Sequence, residues 1–334
     1  MRLRRSDCSG PGLRRVRRGR GFSYLDEQEE PLTDQETLAR IRELAIPPAW
    51  QDVWICSDPR GHLQATGTDA AGRKQYLYHA RWRERRDREK FERALRFARK
   101  LPALRGQISS DLDRAGLHRE RVLACAARLL DRGLFRVGSE QYADEDGGYG
   151  LATIRREHVS VKDGAIVFDY PAKSGIRRLQ AIDDPQTAEL LRALKRRRSD
   201  EALLAYRNGR RWTAVRADDI NDYLKQHMGD EFSAKDFRTW NATVLAAMAL
   251  AEASDGKTQT ARRSHINAAI KEVAELLGNT PAVARRAYID PRVFDRYLAG
   301  ATIAPALQRF KEPDLDDDRT RARIERAVLG LLTG

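Results

Sequence analysis

Residues 276–288 have the sequence Leu-Leu-Gly-Asn-Thr-Pro-Ala-Val-Ala-Arg-Arg-Ala-Tyr, which combines a helix start with a tyrosine about two turns later. Thr280 suits the N-cap because its hydroxyl can accept a hydrogen bond from a free backbone N–H of the first turn. Pro281 suits the first helical position because its φ is already fixed near the helical value. The stretch therefore predicts a short helix that ends near Tyr288, nine residues after Asn279.

Upstream of this stretch the chain has mainly helical patterns. A hairpin interrupts them, because two strand-like runs flank Asp163-Gly164, a pair that favours a tight turn. Lys173 follows shortly after the second of these runs, which cover residues 158–161 and 165–170. The predicted helices cover residues 118–132, 185–197, 217–228, 234–253 and 258–277.

The first part of the chain has a different organisation. Turn sequences rich in Asp, Pro and Gly separate three strand-like runs. These runs cover residues 50–57, 62–66 and 74–79. Before them, Thr33 and Glu36 form a capping-box pattern that predicts a helix ending at Pro47. A long, highly charged helical stretch begins near residue 81.

These patterns predict an α+β protein with two domains, in agreement with its length of 334 residues. Residues 1–20 contain eight arginines and little that is apolar, which is typical of a flexible basic arm. We predict a small β-rich N-terminal domain over residues 21–90 and a larger, mainly α-helical domain over residues 91–334.

The charge of the chain points to a polyanionic partner. It has 62 Lys and Arg against 49 Asp and Glu, a net charge of +13, and clustered cations bind phosphates by releasing counterions. No apolar run is long enough to span a membrane and no signal-peptide pattern is present, so we expect an intracellular protein. The three cysteines form no CxxC pair, which argues against a disulfide framework or a zinc ribbon.

Several familiar catalytic motifs are missing from the sequence. It has no GxxxxGK[ST] phosphate loop, no GxGxxG run and no HExxH pair. Acidic clusters occur at residues 144–146 and 316–318, but both have the local context of a solvated loop rather than of a two-metal site. If the protein acts on nucleic acid, the expected chemistry uses neither a metal nor ATP.

Breaking a phosphodiester without a metal requires three kinds of group. A nucleophile must attack, positive or hydrogen-bond-donating groups must bind the non-bridging oxygens, and an acid must protonate the departing oxygen. Tyrosine can attack and hold the strand as an ester. Arginine suits the oxygens because its planar fork stays charged, and lysine suits proton donation because burial near other cations lowers its pKa.

Residues 276–288 resemble the nucleophile segment of the poxvirus-like (bacterial) type IB DNA topoisomerases and, more distantly, that of tyrosine recombinases. Three further patches resemble this family in the same order along the chain: residues 135–142 with 149–153, Lys173, and residues 235–240. The resemblance implies the following roles: Tyr288 as nucleophile, Arg136 and Arg238 on the scissile phosphate, Lys173 as the acid for the leaving 5′ oxygen, and Tyr142 in a contact with the DNA backbone.

The chain departs from the family at Asn279, where the family usually has histidine. An asparagine amide can still donate a hydrogen bond to a non-bridging oxygen, although it carries no charge. We therefore expect Asn279 to fill the role of that histidine.

The resemblance extends to the N-terminal part of the chain, which is similar to the DNA-clamping domain of these enzymes. In the family pattern Gln75, Tyr76 and Tyr78 approach DNA. Tyr76 and Tyr78 share one strand face, so the same pattern is also compatible with a place in the core. The implied architecture is a C-shaped clamp around duplex DNA.

The resemblance implies that the protein relaxes supercoiled DNA through a transient 3′-phosphotyrosyl bond, without ATP, another nucleotide or a metal. It also implies a monomer that binds duplex DNA in the cytoplasm, at the nucleoid. Two alternatives remain at this stage. A tyrosine recombinase shares the catalytic set but must assemble as a multimer. A non-enzymatic architectural DNA-binding protein would also account for the charge of +13.

Overall fold

In the computed structural model the chain divides into two compact units, residues 1–90 and residues 91–334. The structure describes residues 2–138, 147–162, 164–197, 201–253, 256, 258–310 and 314–334. Among the described residues no helix combines the length and the apolar character that a membrane span requires. The acidic cluster at residues 144–146 lies outside the described residues.

The first unit contains a five-stranded antiparallel sheet in the order β2-β1-β3-β4-β5. Its strands are β1 (Leu13–Arg18), β2 (Gly21–Leu25), β3 (Gln51–Ile55), β4 (Leu63–Thr68) and β5 (Lys74–Tyr78). The helix α1 (Gln35–Glu43) covers one face, where Ile41 packs with Leu13, Ile55 and Ala65. The three predicted strands and the predicted helix are therefore present.

Two details of the first unit differ from the sequence-based expectation. The prediction of a flexible arm over residues 1–20 is wrong, because β1 is a strand inside the sheet and Leu13 is buried in the core. Arg15 is held by the backbone oxygens of Ile46, Pro47 and Trp50, so its charge is satisfied by the fold. The capping-box pattern places the N-cap of α1 at Thr33, but the N-cap is Asp34. Its carboxylate accepts a hydrogen bond from the backbone N–H of Thr37.

The second unit is mainly helical and contains one three-stranded and one two-stranded sheet. The strands β6 (Val159–Lys162), β7 (Ala165–Pro171) and β8 (Arg177–Asp183) pair in that order, so the predicted hairpin is present and is extended by β8. The strands β9 (Ala205–Asn208) and β10 (Arg211–Ala214) form a separate hairpin.

The helices of the second unit bury an extensive core that includes Phe97, Phe135, Phe168, Phe237 and Trp240. Those described are α2 (Ala80–Leu112, with its start in the first unit), α3 (Arg119–Gly133), α4 (Pro185–Lys195), α5 (Ala217–Met228), α6 (Ala234–Glu252), α7 (Gln259–Leu277), α8 (Pro281–Ala287), α9 (Arg292–Leu298), α10 (Ala304–Leu307) and α11 (Asp318–Thr333).

The helix α11 is joined to α2 and α3 by buried ion pairs. Arg105 of α2 contacts the carboxylate of Asp131 on α3 at 2.8 Å and that of Glu325 on α11 at 2.6 Å. Burial alone would raise the pKa of the Asp131 carboxyl, but the charges of Arg105 and Arg321 hold it well below its usual range.

The acidic cluster at residues 316–318 is not a solvated loop, contrary to the expectation from its sequence. The carboxylate of Asp317 caps α11, and that of Asp318 pairs with Arg132 at 2.8 Å. The cluster therefore helps to begin α11 and to attach it to α3.

We expect Arg105→Met to lower the free energy of unfolding by about 3–5 kcal/mol, because it leaves two buried carboxylates without their shared cation. Thermal and urea unfolding measure the change. Arg263→Met removes an exposed arginine and should stay within about 0.5 kcal/mol of the parent. A loss for Arg105→Met no larger than that of this control would contradict the role given to the buried pairs.

Candidate active site

The second unit brings four of the five predicted catalytic residues together from the ends of different helices. Arg136 follows α3, Arg238 lies on α6, Asn279 follows α7 and Tyr288 caps the end of α8. Thr280 caps α8 with its hydroxyl and Pro281 begins the helix, as predicted. The contacts below show how these ends are fixed to one another.

Arg238 is the most deeply buried of the four, with 3% of its surface exposed. Its guanidinium donates to the backbone oxygens of Leu134, after α3, and of Leu277, the last residue of α7, the latter at 3.0 Å. Its centre lies 5.1 Å from the centroid of the Tyr288 ring. Burial, together with the charge of Arg136, lowers the pKa of Arg238 to about 10, so it stays positive at neutral pH.

Arg136 fixes the orientation of the Asn279 side chain. Nη2 of Arg136 donates to Oδ1 of Asn279 at 2.5 Å and to the backbone oxygen of Gly278 at 3.2 Å. Because Oδ1 accepts this bond, Nδ2 is the part of the amide that can still donate to another group. Nδ2 is buried and has no hydrogen-bond partner within the described residues. A buried donor without an acceptor is costly, so its position suits a ligand that brings an oxygen.

Tyr288 is half-buried next to these positive charges. Burial by itself would raise the pKa of its phenol, but the charges of Arg238, Arg136 and Lys235 and a hydrogen bond from Arg238 outweigh burial, and the pKa is lowered. A phenol that ionises more readily supplies more of the nucleophilic phenolate. Its backbone is also anchored, since the Thr243 hydroxyl donates to the Tyr288 carbonyl oxygen at 3.3 Å.

Lys173, the fifth predicted catalytic residue, is not joined to the other four. It lies exposed in a 3-10 turn, Lys173–Gly175, between β7 and β8. Within the described residues its ammonium makes no hydrogen bond or ion pair. The turn places it after the predicted hairpin, and its role as an acid stays a prediction.

The predicted DNA-contacting residues have separate outcomes. Tyr142 lies outside the described residues. In the first unit Tyr76 and Tyr78 of β5 are 45% and 36% exposed, and their rings stack at 6.2 Å between centroids. The alternative that they belong to the core is therefore wrong. Gln75 points to the other side of β5 and donates to the carboxylate of Asp69 at 2.9 Å.

One arginine of the site, Arg178 on β8, was missed by the sequence reasoning. Its guanidinium donates to the backbone oxygen of Glu275 at 3.3 Å and lies beside Gly278. Gly278 ends α7 with φ of +60°, and a Cβ there would come within 3.1 Å of Nη1 of Arg178. Arg178 therefore supports the turn that carries Asn279. No local signal in residues 177–183 marks Arg178, because its partner Glu275 is 97 residues away in the sequence.

The charges around Tyr288 predict a measurable titration. We expect Arg238→Met to raise the pKa of the Tyr288 phenol, because it removes the main positive charge next to the ring. Tyrosine ionisation is measured by ultraviolet difference spectra of each protein against its own Tyr288→Phe derivative. Arg285→Met is the control, since Arg285 stacks on Phe294 instead. If both variants titrated like the parent, the electrostatic account of Tyr288 would be wrong.

Comparisons with known proteins match both parts of the chain. The model of the eukaryotic DNA topoisomerase I catalytic core matches residues 79–297, and that of the bacterial DNA topoisomerase IB N-terminal domain matches residues 21–69. All five predicted catalytic residues fall within the first of these ranges.

Two relatives support the same assignment. DNA topoisomerase 1B of Acanthamoeba polyphaga mimivirus is 32% identical over 276 residues, which cover 80% of this chain and 81% of the viral protein. DNA topoisomerase 1 of Schizosaccharomyces pombe is 29% identical over 201 residues, which cover 60% of this chain and 24% of the yeast protein. The chain therefore belongs to the type IB DNA topoisomerases, a family of isomerases that act on DNA.

Proposed function

We propose that this enzyme relaxes supercoiled duplex DNA by cutting one strand through a 3′-phosphotyrosyl intermediate and resealing it, without ATP or a metal ion. One observation carries the proposal. A phenol with a lowered pKa lies beside two arginines and an asparagine amide whose buried N–H group has no partner within the described residues. Nucleophile and oxyanion donors are the groups that phosphodiester cleavage needs in one place.

In the cleavage step the phenolate oxygen of Tyr288 attacks the scissile phosphorus. A bond forms between this oxygen and phosphorus, and the bond from phosphorus to the 5′ oxygen breaks. Lys173 gives a proton to the departing 5′ oxygen, so the products are a phosphotyrosyl ester and a free 5′ hydroxyl. The proton of Tyr288 leaves to solvent, which the surrounding positive charges favour.

The charge that develops on the phosphate is met by donors already in position. Arg136 and Arg238 supply the positive charge, and Nδ2 of Asn279 supplies a neutral hydrogen bond, since Arg136 occupies Oδ1 and leaves Nδ2 as the donor. Because these groups are fixed to helix ends before the DNA arrives, little reorganisation is needed during the reaction. Two arginines provide here the charge that a metal ion would otherwise supply.

Resealing reverses these steps. After the free 5′ end has rotated and supercoils have relaxed, the 5′ hydroxyl returns its proton to Lys173, attacks the phosphotyrosyl phosphorus and expels Tyr288. The ester has kept the energy of the broken bond, so no nucleotide has to be hydrolysed.

We further propose that the enzyme acts as a monomer at the nucleoid, whereas a recombinase would need a multimer on two sites.

We expect the parent protein to relax supercoiled plasmid in EDTA without ATP, and detergent to trap a covalent adduct with DNA. Tyr288→Phe should lose both, because it keeps the ring but lacks the attacking oxygen. Agarose gels measure relaxation, and denaturing gels with labelled DNA detect the adduct. A parent that binds the plasmid but leaves it supercoiled would overturn the proposal and would favour a paired-site recombination or an architectural role.

A second prediction concerns Asn279. We expect Asn279→Ala to slow single-turnover cleavage of a suicide oligonucleotide about 10²–10³-fold, the usual effect of removing one oxyanion donor. Asn279→Asp should be slower still because its charge repels the phosphate. Asn208→Ala, in the exposed hairpin β9–β10, is the control. Cleavage by Asn279→Ala at the parental rate would show that the amide has no part in the reaction.

A further inference from the structure

The tip of the β1–β2 hairpin carries three arginines that the fold does not use. We name Arg17, Arg18, Gly19 and Arg20 the hairpin tip. All three arginines are exposed, and within the described residues none of their side chains makes an ion pair, a hydrogen bond or a ring contact. Arg18 pairs with Gly21 across the hairpin, and Gly19 takes φ of +56° to close the turn.

The other arginines of β1 differ because each has a structural partner. Arg15 donates to three backbone oxygens and lies 4.1 Å from the ring centroid of Phe22, and Arg14 pairs with Glu29 at 3.3 Å. The hairpin tip, in contrast, places three like charges within four residues, and residues 1–25 contain only one acidic residue, Asp7. Neighbouring like charges repel each other unless an anion lies between them.

The register of the sheet places Arg18 of the hairpin tip on the side of the predicted DNA-contacting tyrosines, whereas Arg17 lies on the opposite face, with Leu13. Arg14, Trp54, Thr66 and Tyr76 form one row across β1, β3, β4 and β5. Side chains alternate along a strand, so Arg18 shares the face of Arg14 and hence of Tyr76.

The hairpin tip also lies at the end of the sheet where β5 begins. The strands from β1 to β5 are antiparallel to their neighbours, so the last residue of β1 and Lys74, the first residue of β5, are at the same end. Three strand spacings separate β1 from β5, a distance of about 14 Å. Arg18 also lies four residues, about 13 Å, beyond Arg14 in the row of Tyr76, so the hairpin tip is about 19 Å from Tyr76, which corresponds to about six base pairs along a duplex.

We propose that the hairpin tip binds backbone phosphates of duplex DNA, about six base pairs from the site of Tyr76 and Tyr78. The inference rests on the proposed function for the identity of the polyanion. The contact is independent of sequence, because guanidinium groups on phosphates position a protein on DNA without selecting bases. The family match in the N-terminal part begins at residue 21, so it does not include the three arginines.

The test uses the full chain with Tyr288→Phe, so that binding is measured without cleavage. The hairpin variant combines Arg17→Gln, Arg18→Gln and Arg20→Gln. Its affinity for a DNA duplex is measured from low to high salt concentration. We expect the slope of log K against log salt to become shallower by about two to three, since each lost phosphate contact removes about 0.9. The protected region in a footprint should shorten by about six base pairs.

Two control proteins make the test specific. Lysine at the same three positions keeps the charge and should restore the slope. The second control removes the same charge from exposed positions of α11 and should leave the salt slope unchanged; it combines Arg319→Gln, Arg323→Gln and Arg326→Gln. The proposal would be overturned if the hairpin variant kept the salt slope of the parent while its unfolding midpoint was unchanged. It would also be overturned if the α11 control lost as much of the salt slope as the hairpin variant. If the parent failed to relax DNA while the slope still fell, the catalytic proposal would fail and the binding contact would stand.

Discussion

The site depends on the two backbone hydrogen bonds of one buried cation, Arg238. Its guanidinium joins the carbonyl of Leu134, after α3, to the carbonyl of Leu277, at the end of α7. Arg136 follows the first carbonyl by two residues and Asn279 follows the second by two. A single side chain therefore sets the distance between the two segments that we propose to bind phosphate, and it also lies against the ring of Tyr288. Its charge cannot be removed at physiological pH, so this connection is permanent.

Burial and charge act in opposite directions at this site, and their balance gives the chemistry. Burial disfavours the charged form of every group, which lowers the pKa of Arg136 and Arg238 and would raise that of Tyr288. Because two arginines lie beside one phenol, the phenol is the group whose ionisation becomes easier. Arg178 adds a third guanidinium at the turn of Gly278 and Asn279. The protein therefore concentrates positive charge where a phosphate and a phenolate would otherwise repel each other.

Sequence patterns predicted the helices and the hairpin before Lys173, because N-caps and turn pairs are local signals, and the residues that meet at Tyr288 were predicted from the resemblance to a family. They did not predict what depends on distant partners. Arg15 looked like a solvated charge, yet three backbone oxygens more than 30 residues away bind it. The acidic run at residues 316–318 has the composition of a loop, yet Arg132 of α3 pairs with it. Arg178 was missed for the same reason, since its partners lie on α7.

The buried contact between Arg105 and Glu325 has a consequence for the biosynthesis of the enzyme. These residues are separated by 220 positions, and Tyr288 lies between them in the chain. During translation Tyr288 is therefore added to the chain before Glu325, at a time when Arg105 and Asp131 lack their third partner. The core of the second unit closes only after α11 has been made. Until then the nascent polypeptide carries Tyr288 on a core that lacks Ile324, Val328 and Leu332.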